Sequence, residues 1–290
     1  MSYDEFKWSF LEEVRAQAGE NITVRLHQVP KNNGCILEGI SITDNEKRLS
    51  PVMYIEPYYK KYTEGDQISF LAGELLYSAG EALNNVELPF TGRPALSKIC
   101  KQIYVKAVNA PLNETELENM PHYRIHDLAL VFYYEVDLGE EREASIRVTQ
   151  NDIEYWDITS DELLQMAMDN TVRDKDYTFT PIVDLIRAAG ESETEEIPLY
   201  VLTNKDKVFG ASTLFYPDLL KKISLRLNDD LYVLPSSIHE IIILPSGEAP
   251  EEAYLKKIVR EVNLNEVSAE EILSNNIYRY NRENGELMMA

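Results

Sequence analysis

Ser237, His239 and Glu240 fall close together in LYVLPSSIHEIIILP, residues 231–245, where a polar stretch interrupts two apolar runs. A hydroxyl, an imidazole and a carboxylate are the parts of an activated nucleophile, provided that the imidazole can take the hydroxyl proton and a third group orients it. Spacing argues against that assembly here. Alternate residues of a strand share a face, so Ser237 and His239 point one way and Glu240 the other. On a regular strand the Cα atoms of Ser237 and His239 stand roughly 6.5 Å apart, and only a bulge brings their side chains into contact. The other account of these residues is a turn, with Ser236 and Ser237 satisfying backbone groups and His239 bonded to a carbonyl.

A second cluster lies in MPHYRIHDLALVF, where His122 and His126 are four apart and Asp127 follows. On a helix the two histidines would share a face and grip a metal. Pro121 before them and a β-prone run after them favour a strand instead. Zinc needs three or four ligands at about 2.0–2.3 Å, and only His27 or His239 from elsewhere would complete such a set. Neither a metal nor a cofactor is therefore expected, and Asp127 reads as a cap or as a partner of Arg124. A third cluster, Tyr54 to Tyr62 with Lys60 and Lys61, reads as the edge of a core with lysine stems lying along it rather than as a ligand groove.

No Gly-rich phosphate loop, nucleophile elbow, HExxH or CxxC is present. Lys and Arg total 28 against 50 Asp and Glu, a formal net charge of −22. A surface this negative repels a phosphate backbone and an anionic leaflet, so nucleic acid and membrane are not expected partners. An acidic mimic of DNA is a minor alternative, because the acids are dispersed along the chain. Cys35 and Cys100 sit in apolar stretches and read as buried free thiols. With no secretory h-region and no long apolar span, the cytoplasm is the expected location.

The elements that must position these residues read as follows. Ser2 to Glu5 forms a capping box, and Phe6, Phe10, Leu11 and Val14 line one helical face. NITVRLHQV and CILEGISI form a hairpin across Asn33-Gly34. Helices are predicted over 66–82 and 97–109. The polar segment 110–121 reads as a connection, with a domain boundary giving a helical and β-hairpin region 1–114 and an α+β domain 115–290. DLALVFYYEVD is a central strand that turns at GEERE into ASIRVT. Thr159 to Glu162 caps another helix, and a short one follows near 180–189. LYVLT and KVFGA read as a strand pair, and Pro217 starts a helix. Residues 231–245 form a hairpin, helices are expected from Pro250 and Ser268, and the tail after Asn281 has no pattern. Hairpins interleaved with helices imply an α+β fold with mainly antiparallel sheet.

The runs from Pro121 to Phe132, Ile146 to Thr171, Leu199 to Asn204 and Phe209 to Leu220 carry a resemblance over nearly the whole chain, as do LYVLPSSIHEIIILP and SAEEILSNNIYRY. They resemble domain-of-unknown-function family 5688 of gut anaerobic Gram-positive bacteria. The resemblance implies a cytoplasmic bacterial protein and no activity. Its motifs single out His122, Asp127, Asn204, Pro235, Ser236, Ser237, His239 and Glu240. Together these readings favour a non-enzymatic binding or regulatory module with a protein partner. The alternative is a hydrolase or metal-dependent enzyme using Ser237, His239 and Glu240, with His122, Asp127, Asn204 and Ser236 as binding residues.

Overall fold

A computed structural model describes residues 1–44, 50–85, 92–137, 143–188, 198–235 and 237–290. It has two compact units, Met1–Pro89 with Asp137–Ala144, and Phe90–Val136 with Ser145–Ala290. The architecture is α+β with antiparallel sheets, as the interleaved hairpins and helices predict.

In the first unit, α1 (Tyr3–Gln17) opens on the predicted capping box: Ser2 N donates to Glu5 Oε2 at 2.8 Å, and Glu5 N donates to Ser2 Oγ at 3.3 Å. Its apolar stripe of Phe6, Phe10, Leu11 and Val14 is buried. Strands β1 (Ile22–Pro30), β2 (Ile36–Asp44) and β3 (Val52–Tyr54) form a sheet in that order. Asn33 and Gly34 turn the first hairpin with φ of 60° and 66°, the left-handed region that favours these two residue types. Helices α2 (Glu56–Glu64) and α3 (Ile68–Asn85) complete the core, in which Leu71 and Leu75 join the α1 stripe. The tyrosine run packs as expected: Tyr58 is buried, and Tyr59 and Tyr62 lie against Phe6. Lys61 pairs with Glu74.

The second unit holds two sheets. One joins β4 (Ile103–Asn109), β6 (Leu128–Asp137) and β5 (His122–Ile125), with β7 (Glu143–Arg147) also paired to β6. The predicted central strand β6 is buried nearly throughout. The turn at GEERE lies largely outside the described residues. The predicted helix over 97–109 is corrected: only α4 (Leu96–Ile99) is helical, and β4 follows. IYVKAVN satisfies a two-residue period as well as a helical one. Its β-branched residues lose freedom in a helix, and seven consecutive pairings with β6, from Ile103–Tyr134 to Asn109–Leu128, decide the matter. The segment 110–121 carries a 3-10 turn (Pro111–Asn113) and α5 (Glu114–Leu117).

The other sheet has the order β13-β12-β10-β11-β9-β8, with β8 (Tyr177–Pro181), β9 (Tyr200–Asn204), β10 (Leu231–Leu234), β11 (Ile241–Pro245), β12 (Tyr278–Tyr280) and β13 (Leu287–Met289). Between the sheets in sequence lie α6 (Gln150–Trp156) and α7 (Ser160–Asp174), the latter opened by the predicted Thr159 capping box. The chain adds α8 (Ile182–Ala188), α9 (Leu219–Leu227) and α10 (Glu252–Asn265).

The two central strands are apolar on both sides because both sides are covered. Leu231, Val233, Ile241 and Ile243 pack with Leu219 and Ile223 of α9. Tyr232, Leu234 and Leu244 pack with Leu255 and Val259 of α10.

Four further expectations are corrected. KVFGA is not a strand: Phe209 has φ 54°, and a 3-10 helix over Gly210–Phe215 begins there, so β9 pairs with β8 and β11 instead. Ser268 opens only a 3-10 turn, Ala269–Glu271, without a side-chain cap. The tail is patterned after all, since β12 and β13 form a hairpin there. Cys35 and Cys100 are free but only partly buried.

Candidate functional site

The segment after β10 is stitched to two others by hydrogen bonds. The β10–β11 hairpin forms as expected, but β11 begins at Ile241, so residues 235–240 are irregular. Pro235 O accepts from Ser274 N at 2.9 Å, and Ile238 N donates to Glu271 O at 2.9 Å. Ser237 is buried and makes an isolated bridge with Ile272. Its Oγ accepts from the backbone N of His239 at 3.0 Å. Ser236 lies outside the described residues.

His239 has one ring nitrogen in a hydrogen bond and the other beside a carboxylate. Phe209 N donates to Nδ1 at 3.3 Å, and Nε2 lies 3.4 Å from Glu271 Oε1. A backbone N–H only donates, so Nδ1 is unprotonated and Nε2 carries the proton toward the carboxylate. The Nδ1 lone pair is thus already engaged. The ring also stacks on Phe209, with centroids 5.8 Å apart and planes 13° from parallel. What sequence spacing left as hydroxyl, imidazole and carboxylate becomes a turn serine bonded to backbone, an imidazole bonded to a loop N–H, and Glu240 lining a groove elsewhere.

Asn204 closes the loop that presents Phe209. Its Nδ2 donates to Val208 O at 2.8 Å, and its Oδ1 accepts from Val208 N at 3.3 Å. Thr203 Oγ1 donates to His239 O at 2.7 Å. Gly210 is needed at this junction, because a Cβ there would lie 2.0 Å from Thr203 Oγ1 and 2.4 Å from His239 O. Asn204, Ser237 and His239 are therefore brought together.

Asp127 forms a second junction. With His126, which has φ 57°, it makes the turn between β5 and β6. Its Oδ2 accepts from Ser274 Oγ at 2.6 Å and Asn276 Nδ2 at 3.0 Å, and its Oδ1 accepts from the Tyr278 hydroxyl. Burial, followed by the Asp127 hydrogen bond, pushes the Tyr278 hydroxyl well above its ordinary range. The expected Arg124 partner is replaced by these donors, and Arg124 faces Glu114 at 3.5 Å. His126 Nε2 bonds Leu287 O at 2.8 Å, while His122 Nδ1 bonds Met120 O at 2.9 Å. Among the described residues no group of three His, Cys, Asp or Glu is placed to hold a metal.

Between α10 and the six-stranded sheet runs a groove of about 480 Å³. Its walls are apolar: Leu234, Ile242 and Leu244 from the sheet face Leu255, Ile258 and Val259 from α10. The volume falls within the range of about 300–1,000 Å³ usual for small-molecule sites. Glu240 lines it, and among the described residues its carboxyl receives no hydrogen bond and no ion pair. Burial raises its pKa above the usual glutamate value; nearby Glu271 adds to the rise and His239 opposes it. Two other depressions are open to solvent, one on the outer side of α10 around Lys256, Lys257 and Arg260, one beyond the end of α2.

Sequence reasoning named Glu240 but missed the groove and the partners of Asp127. The signal for the groove was the breadth of the α10 stripe. Tyr254 and Val262 extend it past what the sheet covers, and they stay 55% and 38% exposed. A profile described as a family of unknown function, DUF5688, matches residues 3–282. No curated protein and no solved structure matches the chain.

Proposed function

Because the chain belongs to the DUF5688 family, whose function is unknown, we propose from the site itself that it is a non-enzymatic binding module whose ligand lies in the groove between α10 and the sheet. The observation that carries this reading is the Glu240 carboxyl, which lines an apolar groove with no partner of its own. The carboxyl is half-buried, so water still reaches it; a ligand that covers it removes that water and must supply a donor in its place. The enzyme reading loses support from the same geometry, since the His239 lone pair is engaged by Phe209 N–H and Ser237 bonds backbone.

N-phenyl-1-naphthylamine, a neutral fluorophore bright only in apolar surroundings, tests the groove. Saturable binding at one per chain is expected, weakened about tenfold or more in Val262→Trp, which fills the rim, with Tm unchanged. Tenfold corresponds to about 1.4 kcal/mol. No binding, or binding that Val262→Trp leaves untouched, contradicts the reading.

The proposal extends to setting. The sequence resemblance supports a bacterial, cytoplasmic protein, and no helix among the described residues is long and apolar enough to cross a membrane. A net charge of −22 argues against nucleic acid as a partner. A protein partner would meet the same acidic surface and would need a basic face; pull-down from native lysate tests for one.

A further inference from the structure

The groove is charged in one sense only. Glu240 and Glu266 are the ionisable side chains of acid type along it, Tyr254 adds a phenol, and the other described residues that line it are apolar or proline. No lysine, arginine or histidine is among them. A ligand with a carboxylate or phosphate head would bring like charge into a poorly solvated site with nothing to answer it. A purely apolar ligand would cover Glu240 and leave the carboxyl unpaired. An ammonium group answers both difficulties, because it supplies three donors and a full positive charge.

Resting on the groove reading above, we infer that the ligand is a small amphipathic amine: its ammonium sits on the Glu240 carboxylate, and its alkyl or aryl body lies along Leu234, Ile242, Ile258 and Val259. Glu266, at the exposed end of the groove, adds to the negative potential there. The burial that raises the proton affinity of Glu240 acts in the same direction, since an isolated negative charge in this groove calls for a cation. Proton and amine then compete for one carboxyl. Binding strengthens as pH rises through the Glu240 titration, and weakens again where the amine loses its own proton, at about pH 10 for an alkylamine. Burial sets this titration first, His239 beside it and Glu271 act on it by charge, and Glu266 is the other acid that lines the groove.

Displacement of N-phenyl-1-naphthylamine by three probes of equal chain length, decylamine, decanol and decanoate, tests the inference at pH 7 on the full chain. Decylamine is expected to bind about tenfold or more tighter than decanol, with decanoate weakest. Glu240→Gln keeps the shape of the groove and is expected to retain the fluorophore, which also reports that it is folded, while decylamine falls to the level of decanol. Equal affinities for amine and alcohol in the wild type, a preference for decanoate, or a Glu240→Gln variant that still prefers the amine overturns the amine assignment and leaves the groove reading standing. Failure of the fluorophore to bind the wild type overturns both.

Discussion

Asp127 and Glu240 are both partly buried acids at the ends of strands in the same unit, and their surroundings are opposite. Asp127 receives a serine hydroxyl, an asparagine amide and a tyrosine hydroxyl, all from residues 274–278. Glu240 receives no hydrogen bond from the described residues, and burial raises its pKa. A saturated carboxylate holds a fold together, since each charge-assisted bond contributes stability. A bare one in apolar surroundings opposes folding. The contrast separates scaffold from site more sharply than residue type does, because both acids had equal claims as sequence motifs.

Asp127→Ala is expected to have the largest effect. It strands donors on the C-terminal segment and should cost about 3 kcal/mol in urea unfolding, with loss of the protection of residues 274–278 in hydrogen exchange. A cost under about 0.5 kcal/mol would remove Asp127 from the scaffold. Gly210→Ala comes next, at about 2 kcal/mol, because its Cβ meets Thr203 Oγ1 and the His239 carbonyl and the junction must open. His239→Ala should cost about 1 kcal/mol by leaving Phe209 N–H without its acceptor, and it should leave fluorophore binding in the groove intact. Loss of binding in that variant would tie the imidazole to the groove and blur the contrast.

The smallest effect has the opposite sign. Glu240 holds its proton more tightly when folded than when unfolded. Between the usual glutamate value of 4.5 and the raised one, the folded state binds more protons, so stability falls as pH rises through that window and stays reduced above it. Glu240→Gln removes the penalty. Its Tm is expected to exceed that of the wild type at pH 7, with the difference disappearing near pH 4. A variant less stable than the wild type at pH 7 would mean that Glu240 has a stabilising partner.

Much of the scaffold was legible because local rules and tertiary demands agree there. Ser2 and Thr159 cap helices that also have buried stripes, Asn33-Gly34 suits its turn, and the apolar run of β6 is long enough to exclude a surface strand. Residues 97–109 and 268–289 failed because short windows there fit two periods or none, and partners distant in sequence chose between them. The site was half legible. His239, Asn204 and Asp127 were visible as polar residues in apolar surroundings. Their partners were not: Phe209 reaches His239 through a backbone N–H that carries no sequence signature, and Tyr278 meets Asp127 from 151 residues away. Glu240 was grouped with His239 by adjacency, whereas the fold places it in the groove beside residues of α10.

The most direct measurement is a carbon-13 NMR titration of the Glu240 carboxyl, assigned by comparison with Glu240→Gln and repeated with decylamine present. A midpoint above 4.5 that moves down when the amine is added is expected, since a bound ammonium favours the ionised form. A midpoint at the ordinary glutamate value that decylamine does not move would contradict the assignment of this carboxyl as the centre of a ligand site.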